Sequence, residues 1–242
     1  ETMLYGNLFY RRFLGLSATD NVPDHSSISR FRNDLTAMNL YEKCFEELKR
    51  QLEEKGYELE CGKIMDARLV RACRNPGKGD QDAAFAKKRG RIVYGYKDHI
   101  AIDPKYEFVT KFVCTPANVH DSQVLRELMD GKERAIFGDK AYDSMGLKRW
   151  CRERGIFYGV LAKGRRNRGI SSKQRERNRK LSAVRRKVER VFGIFSLHLE
   201  RAKARYVGIL ANEIHLFLTA FTYNLLRLYW HLRSRVRVVE AR

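Results

Sequence analysis

The stretch Arg134–Tyr142 (RAIFGDKAY) constrains the fold of this 242-residue chain more than any other. An apolar run, Ala135–Phe137, leads into a glycine and then a carboxylate. That is the pattern of a short buried strand leaving its sheet at a small residue. Asp139 then stands at a strand's carboxyl end, the edge where open α/β sheets place their chemistry. Alternatively Asp139 caps a helix starting near Asp143, and this stretch alone leaves the two readings level. Two other acids bear on the choice. Lys63–Val70 (KIMDARLV) reads as a strand with Asp66 in its middle, and a helix flanked by basic residues carries Glu189.

The segments around these acids define the architecture. Thr2–Leu16 reads as an apolar, aromatic helix ended near Gly15. Pro23-Asp24 marks a turn, and Ser26 or Ser27 can cap a helix through ISRFRNDLTAM. A third helix, Tyr41–Lys55, stops at Gly56. Together they suggest a small helix-turn-helix-like bundle whose middle helix carries Ser29, Arg30, Arg32 and Asn33, side chains suited to phosphates and base edges. A packing bundle with a solvated basic face accounts for the same residues, and both readings stay open.

From Gly62 the periodicity changes. After the Asp66 strand comes a loop rich in Gly, Pro and charge, Arg74–Arg91. Two alternating runs follow, Ile92–Ile102 and Glu107–Thr115, joined by Asp103-Pro104-Lys105-Tyr106 and read as a hairpin. Asn118 fits the N-cap of a helix running to Asp130, with His120 and Asp121 read as capping and packing residues in preference to catalytic ones. Helix Ser144–Arg154 and strand Ile156–Leu161 follow the Asp139 strand. Strands paired antiparallel at first and alternating with helices later imply a mixed α/β sheet covered by helices.

Lys163–Lys187 holds a dozen lysines and arginines against one acid, Glu176. The part up to about residue 180 reads as a flexible basic loop. Helical spacing begins near Leu181 with Val184, Val188, Val191, Phe192 and Phe195, and Glu189 falls beside that apolar face. A surface ion pair with Arg185 or Arg186 would also explain Glu189. The last helix, about Ile209–Leu232, is apolar nearly all round, but Asn212, Glu213, His215, Asn224 and Arg227 interrupt it. That favours a buried helix over a membrane span. The tail Arg233–Arg242 reads as frayed.

The 49 lysines and arginines outnumber 29 acids, a formal net charge of +20 that calls for a polyanionic partner, nucleic acid before membrane. Five cysteines without a CxxC pair support neither a zinc site nor a disulfide framework, and point to a reducing cytoplasm. The chain begins inside a helix, so a longer natural N-terminus is expected. If Asp66, Asp139 and Glu189 converge, their mutual repulsion calls for a cation. Mg²⁺ takes one or two carboxylates together with substrate phosphate oxygens, the arrangement of metal-assisted phosphoryl transfer.

The motifs VPDHSSISRFRNDL (22–35), IMDARLV (64–70), YGYKDHIAID (94–103), TPANVHDSQVL (115–125), GDKAYDS (138–144), RRKVERVFG (185–193) and NLLR (224–227) cover nearly the whole chain. Together they resemble the DDE transposases of bacterial insertion sequences, in the insertion-sequence-five branch. The resemblance implies a ribonuclease-H-like catalytic domain over 58–242, preceded by a helical region over 1–57 that is a candidate DNA-binding bundle. It implies an acidic triad, Asp66, Asp139 and Glu189, holding two Mg²⁺ ions, with Mn²⁺ able to substitute. Arg185 matches the arginine of the family's tyrosine–arginine–glutamate–lysine signature, which implies a DNA phosphate contact. Ser182 and Ser196 stand where that signature has its tyrosine and lysine.

The implied activity is endonucleolytic cleavage of transposon-end DNA followed by strand transfer to target DNA, that is, transposition by DNA recombination. The implied partners are double-stranded DNA (terminal repeats and target) and further copies of the chain, as a homodimer or larger synaptic assembly. A cytoplasmic, nucleoid-associated location follows. Lys140, Lys163, Arg165, Arg166, Arg168, Arg185 and Arg186, with Arg30 and Arg32, are the expected DNA contacts. Two other readings compete: a catalytically inactive DNA-binding remnant, and a structure-selective metal-dependent nuclease.

Overall fold

A computed structural model describes residues 2–59, 62–77, 79–88, 90–164 and 169–240. Residues up to Cys44 form one compact unit and those from Phe45 onward form another.

In the first unit the expected opening helix is broken in two, α1 (Thr2–Gly6) and α2 (Leu8–Phe13). Asn7 interrupts it because its side chain caps α2, accepting from the Phe9 amide at 2.9 Å. Helix α3 (His25–Ala37) is capped by Asp24, not by either serine. The Asp24 carboxylate accepts from the Ser27 amide at 2.6 Å and from the Ser26 hydroxyl at 2.9 Å, which holds its pKa well below the usual range. Arg30 is exposed on α3 and Arg32 is half-buried. Helix α4 (Leu40–Glu54), most of which belongs to the second unit, ends at Gly56, whose φ of +84° continues the turn with little steric penalty.

The second unit is built on six strands: β1 (Lys63–Arg71), β2 (Ala84–Lys88), β3 (Arg91–Ile102), β4 (Val109–Pro116), β5 (Ala135–Gly138) and β6 (Phe157–Val160). β1, β3 and β4 pair antiparallel, while β5 and β6 join β1 in parallel. The central order is therefore β4-β3-β1-β5-β6, and β2 pairs with the first part of β3, Arg91 to Gly95. Three antiparallel strands continued by two parallel ones, with helices on the faces, make this a ribonuclease-H-like mixed sheet. β2 lies within the stretch that reads as a loop, because Gly and Pro before it mask a short alternating run.

On one face Met65, Ala101 and Ile136 pack against Leu147 and Cys151 of α5 (Met145–Glu153) and against Val124, Leu125 and Leu128. The segment carrying those last three is not the expected helix. It contains a 3₁₀ turn, Asp121–Gln123, with His120 as its cap. Lys97 is the reason: its ammonium takes the Val119 carbonyl at 2.6 Å and the Asp121 carboxylate at 2.8 Å, so a long-range ion pair replaces the helical pattern.

The other face carries α6 (Ser172–Leu197) and α7 (Ile209–Glu240). α6 begins nine residues before the apolar spacing does, behind a capping box formed by Ser171 and Gln174. Asn178 then pairs with both backbone groups of Ala162, at 2.9 and 3.1 Å, and Arg177 donates to the carbonyls of Tyr158 and Val160. The first half of α6 is thus fastened to the end of β6, so the basic loop is shorter than expected. α7 lies along β4, where Asn224 bridges the Val109 amide and carbonyl at 2.8 and 2.9 Å. It continues as helix to Glu240, through most of the stretch that reads as frayed. No helix among the described residues is long and apolar enough to cross a membrane. The thiols of Cys44, Cys73, Cys114 and Cys151 are free, and Cys61 lies outside the described residues.

Candidate active site

β1 and β5 are paired in parallel with Ile64 opposite Phe137. Continuing that register by two residues brings Asp66 level with Asp139. Side chains two apart share a face, so both carboxylates point to the α6 side. Asp139 leaves the sheet and caps a 3₁₀ turn, Lys140–Tyr142, accepting from the Lys140 amide at 2.7 Å. Asp139 therefore stands just past the carboxyl end of β5 and caps a short turn, not the helix expected to start near Asp143. α5 has its own cap, Ser144. Gly138 makes the turn possible, since a Cβ there would lie 3.0 Å from the Tyr142 ring folded back beneath it.

Arg185, buried on α6, joins the pair. Its guanidinium lies 3.4 Å from Asp66 and 3.6 Å from Asp139. Both distances exceed the 2.7–3.2 Å of a good N–H···O bond, and the buried Nε has no partner. The side chains of Asp66 and Asp139 remain 20% and 38% exposed, so the carboxylates face an opening.

Glu189 lies one turn further along α6, about 6 Å in rise. It does not join the aspartates. The buried stripe is Arg185, Val188, Val191, Phe192 and Phe195, and the step from Val188 to Glu189 turns the side chain out to solvent. Arg185 is engaged with the aspartates, which leaves the expected helix-surface ion pair unmade. Among the described residues no three His, Cys, Asp or Glu side chains are close enough to hold a metal ion. Arg68 fixes α6 on the far side of Glu189, donating to the Phe192 carbonyl at 2.5 Å. Sequence reasoning missed Arg68, although a residue two past Asp66 on a strand shares its face. Glu189 is thus framed by two anchors to β1, at Arg185 and at Phe192.

Below this edge Tyr142 is fully buried and its hydroxyl has no partner. Burial, reinforced by the negative charges of Asp121, Asp66 and Asp139, pushes the phenol well above its ordinary pKa. The surroundings are basic. Lys140 and Arg186 are exposed, and Lys163 lines a cleft of about 590 Å³ with Lys148, Tyr158, Gln174 and Arg177. β6, which forms part of that cleft, pairs with β5 one strand from Asp139 (Gly138 opposite Val160). Arg165, Arg166 and Arg168 lie outside the described residues, while Arg30 and Arg32 belong to the first unit.

A transposase DDE domain model matches residues 58–225, the stretch that contains all three acids. The chain belongs to the DDE transposases of bacterial insertion sequences. A second transposase-domain model (DUF772) matches residues 1–34. The transposase for insertion sequence element IS1106 from Neisseria meningitidis serogroup B is 31% identical over 221 residues, covering 82% of this chain and 76% of that one. Among solved structures, a piggyBac transposase synaptic complex with hairpin DNA aligns at 12% identity and a TM-score of 0.48, over 72% of this chain and 48% of that one. A simian T-cell lymphotropic virus intasome in complex with the PP2A regulatory subunit B56 gamma aligns at 12% identity and a TM-score of 0.30, over 65% and 47%. The chain spans about half the length of each of those two chains. Transposition is the activity of the family to which this DDE transposase belongs.

Proposed function

We propose that this transposase cuts the DNA at its element's ends and joins the freed ends to target DNA, with Asp66, Asp139 and Glu189 as its catalytic acids. The observation that carries the reading is the in-register pair Asp66 and Asp139 meeting one buried cation. Two hard oxygen donors, partly open to solvent, fit Mg²⁺, which completes its shell with water and substrate phosphate oxygens. Mg²⁺, or Mn²⁺ in its place, would there neutralise charge on the phosphoryl group and favour an ionised attacking oxygen; the family resemblance implies two ions.

The chain's own residues supply position and charge. Asp66, fixed by its pairing with Ile100 of β3, and Asp139, fixed by its turn, hold their carboxylates at a set spacing. Glu189, exposed one turn from Arg185, closes on the site once DNA arrives. Lys140, Arg186 and Lys163 take phosphates on either side of the scissile bond, so binding weakens steeply with salt. Water displaces the element's 3′-oxygen at each end, and the resulting 3′-hydroxyl attacks a target phosphodiester by the same in-line geometry, losing its proton and displacing the target strand's own 3′-oxygen as a new 3′-hydroxyl. Acting on two ends calls for a dimer or larger assembly.

Cleavage of labelled element-end DNA in Mg²⁺ tests the proposal, comparing the wild-type chain with Asp139→Ala. Cutting that needs both Mg²⁺ and Asp139, with a strand-transfer product, is the expected result. Cutting without strand transfer would make the chain a plain nuclease. Binding without any cutting by either protein would make it a DNA-binding remnant.

A further inference from the structure

Arg185 places a cation between Asp66 and Asp139, and places it loosely. A guanidinium meant to lock two carboxylates would approach with paired bonds near 2.8 Å. Here the contacts are 3.4 and 3.6 Å, one to each acid, and Nε is left without a partner although it is buried. The side chain therefore contributes charge more than bonding. In the protein without metal it offsets the repulsion between two carboxylates that the parallel register forces side by side.

That arrangement has a consequence for the incoming metal. A divalent cation and the guanidinium compete for the same two carboxylates and repel one another. Whichever is displaced must find another anion, because a buried unpaired charge is unfavourable. The group able to receive Arg185 is a phosphate of the bound DNA, which pairs bidentately with a guanidinium.

We infer that Arg185 is a built-in counter-ion which occupies the carboxylate pair in the free protein and yields it to the metal when a DNA phosphate takes the guanidinium. Metal loading is then linked to DNA loading, and by reciprocity DNA binding is tightened by metal. The carboxylates are kept neutralised but unloaded until substrate is present. This inference rests on the reading of Asp66 and Asp139 as metal ligands.

The test is direct Mn²⁺ binding to the full chain by electron paramagnetic resonance, with no DNA and no turnover. Arg185→Gln removes the charge and keeps most of the length, while Arg185→Lys keeps the charge and serves as its control. Asp139→Ala reports whether the ion binds at this pair. Thermal melts confirm that each variant is folded. The expected result is Asp139-dependent binding that tightens about tenfold in Arg185→Gln, the scale of a typical coupling, and stays near wild type in Arg185→Lys. A duplex carrying the element's terminal sequence should tighten Mn²⁺ binding in wild type and lose that effect in Arg185→Gln. Equal or weaker binding in Arg185→Gln, with Asp139 still required, would overturn the counter-ion role and leave the catalytic reading intact. Absence of Asp139-dependent Mn²⁺ binding in every variant would overturn both.

Discussion

The buried pair Asp98–Arg201 offers a test of how α6 and α7 are held to the sheet. Both side chains are almost fully inaccessible, 2% and 1% exposed, and they share two charge-assisted bonds at 2.8 Å. Arg201 also donates to the Asn212 carbonyl at 2.9 Å and meets His215 Nδ1 at 2.8 Å. One guanidinium thus ties the α6–α7 connection to the middle of β3 and to the first turns of α7. Arg201→Met removes all four contacts but keeps much of the buried volume. Asp98 is then a buried carboxylate without its counter-ion, a change that costs about 3–5 kcal/mol. A domain of this size has roughly 5–15 kcal/mol in total, so the variant should lose about a fifth of its stability or more. Asp98→Leu combined with Arg201→Met removes both charges and should recover most of the loss, since burying the pair itself contributes little net energy. Urea denaturation of wild type, both single variants and the double variant gives the coupling directly. A single-variant loss below about 1 kcal/mol, or a double variant no better than the worse single, would refute the argument.

Two further predictions follow from buried groups near the sheet. His99 is fully buried against the Thr115 hydroxyl, at 2.9 Å, and burial lowers its pKa to about 4. The unfolded chain binds a proton below about pH 6.5 and the folded chain does not, so stability present above that pH is lost on acidification toward pH 4. His99→Gln should abolish about 3 kcal/mol of that loss, read as denaturation midpoints across pH 4–7; parallel curves would show that His99 does not titrate so. Tyr142→Phe deletes a buried hydroxyl that has no partner. It should leave stability unchanged or raise it by about 1–2 kcal/mol, with cleavage unaffected. A folded variant that no longer cuts would give the phenol a role in the reaction.

The parts of this fold legible in the sequence are those specified by nearest neighbours. The apolar run KIMDARLV announced β1, period-two alternation announced the β3–β4 hairpin, and Gly138 followed by Asp139 marked the end of β5. Where a distant residue decides, local reading fails. Lys97 draws Asp121 out of a helix that Asn118 would otherwise begin, and no feature of residues 118–130 reveals it. The first half of α6 was hidden by charge density, although Ser171 and Gln174 spell its cap. The site divides similarly. Asp66 and Asp139 were visible as acids on strands, whereas the placement of Arg185 between them depends on how α6 crosses the sheet. Glu189 stands beside apolar positions in sequence, yet its angle on the helix turns it outward.

Drawing two acids from adjacent strands and the third from a helix gives them different freedom to change over time. A strand slips only in whole residues, and a single step would send Asp66 to the opposite face, toward Ala101 and Ile136 of the neighbouring strands. The spacing of the aspartates is therefore digital: it is right or it is lost. A helix rotates 100° per residue and slides 1.5 Å per residue, so Glu189 can be re-aimed in small increments by altering what fastens α6 at either end. Descendants of this protein that shift their choice of DNA geometry should record the shift along α6 and its anchors at Arg177 and Asn178, and leave the two strands as they are.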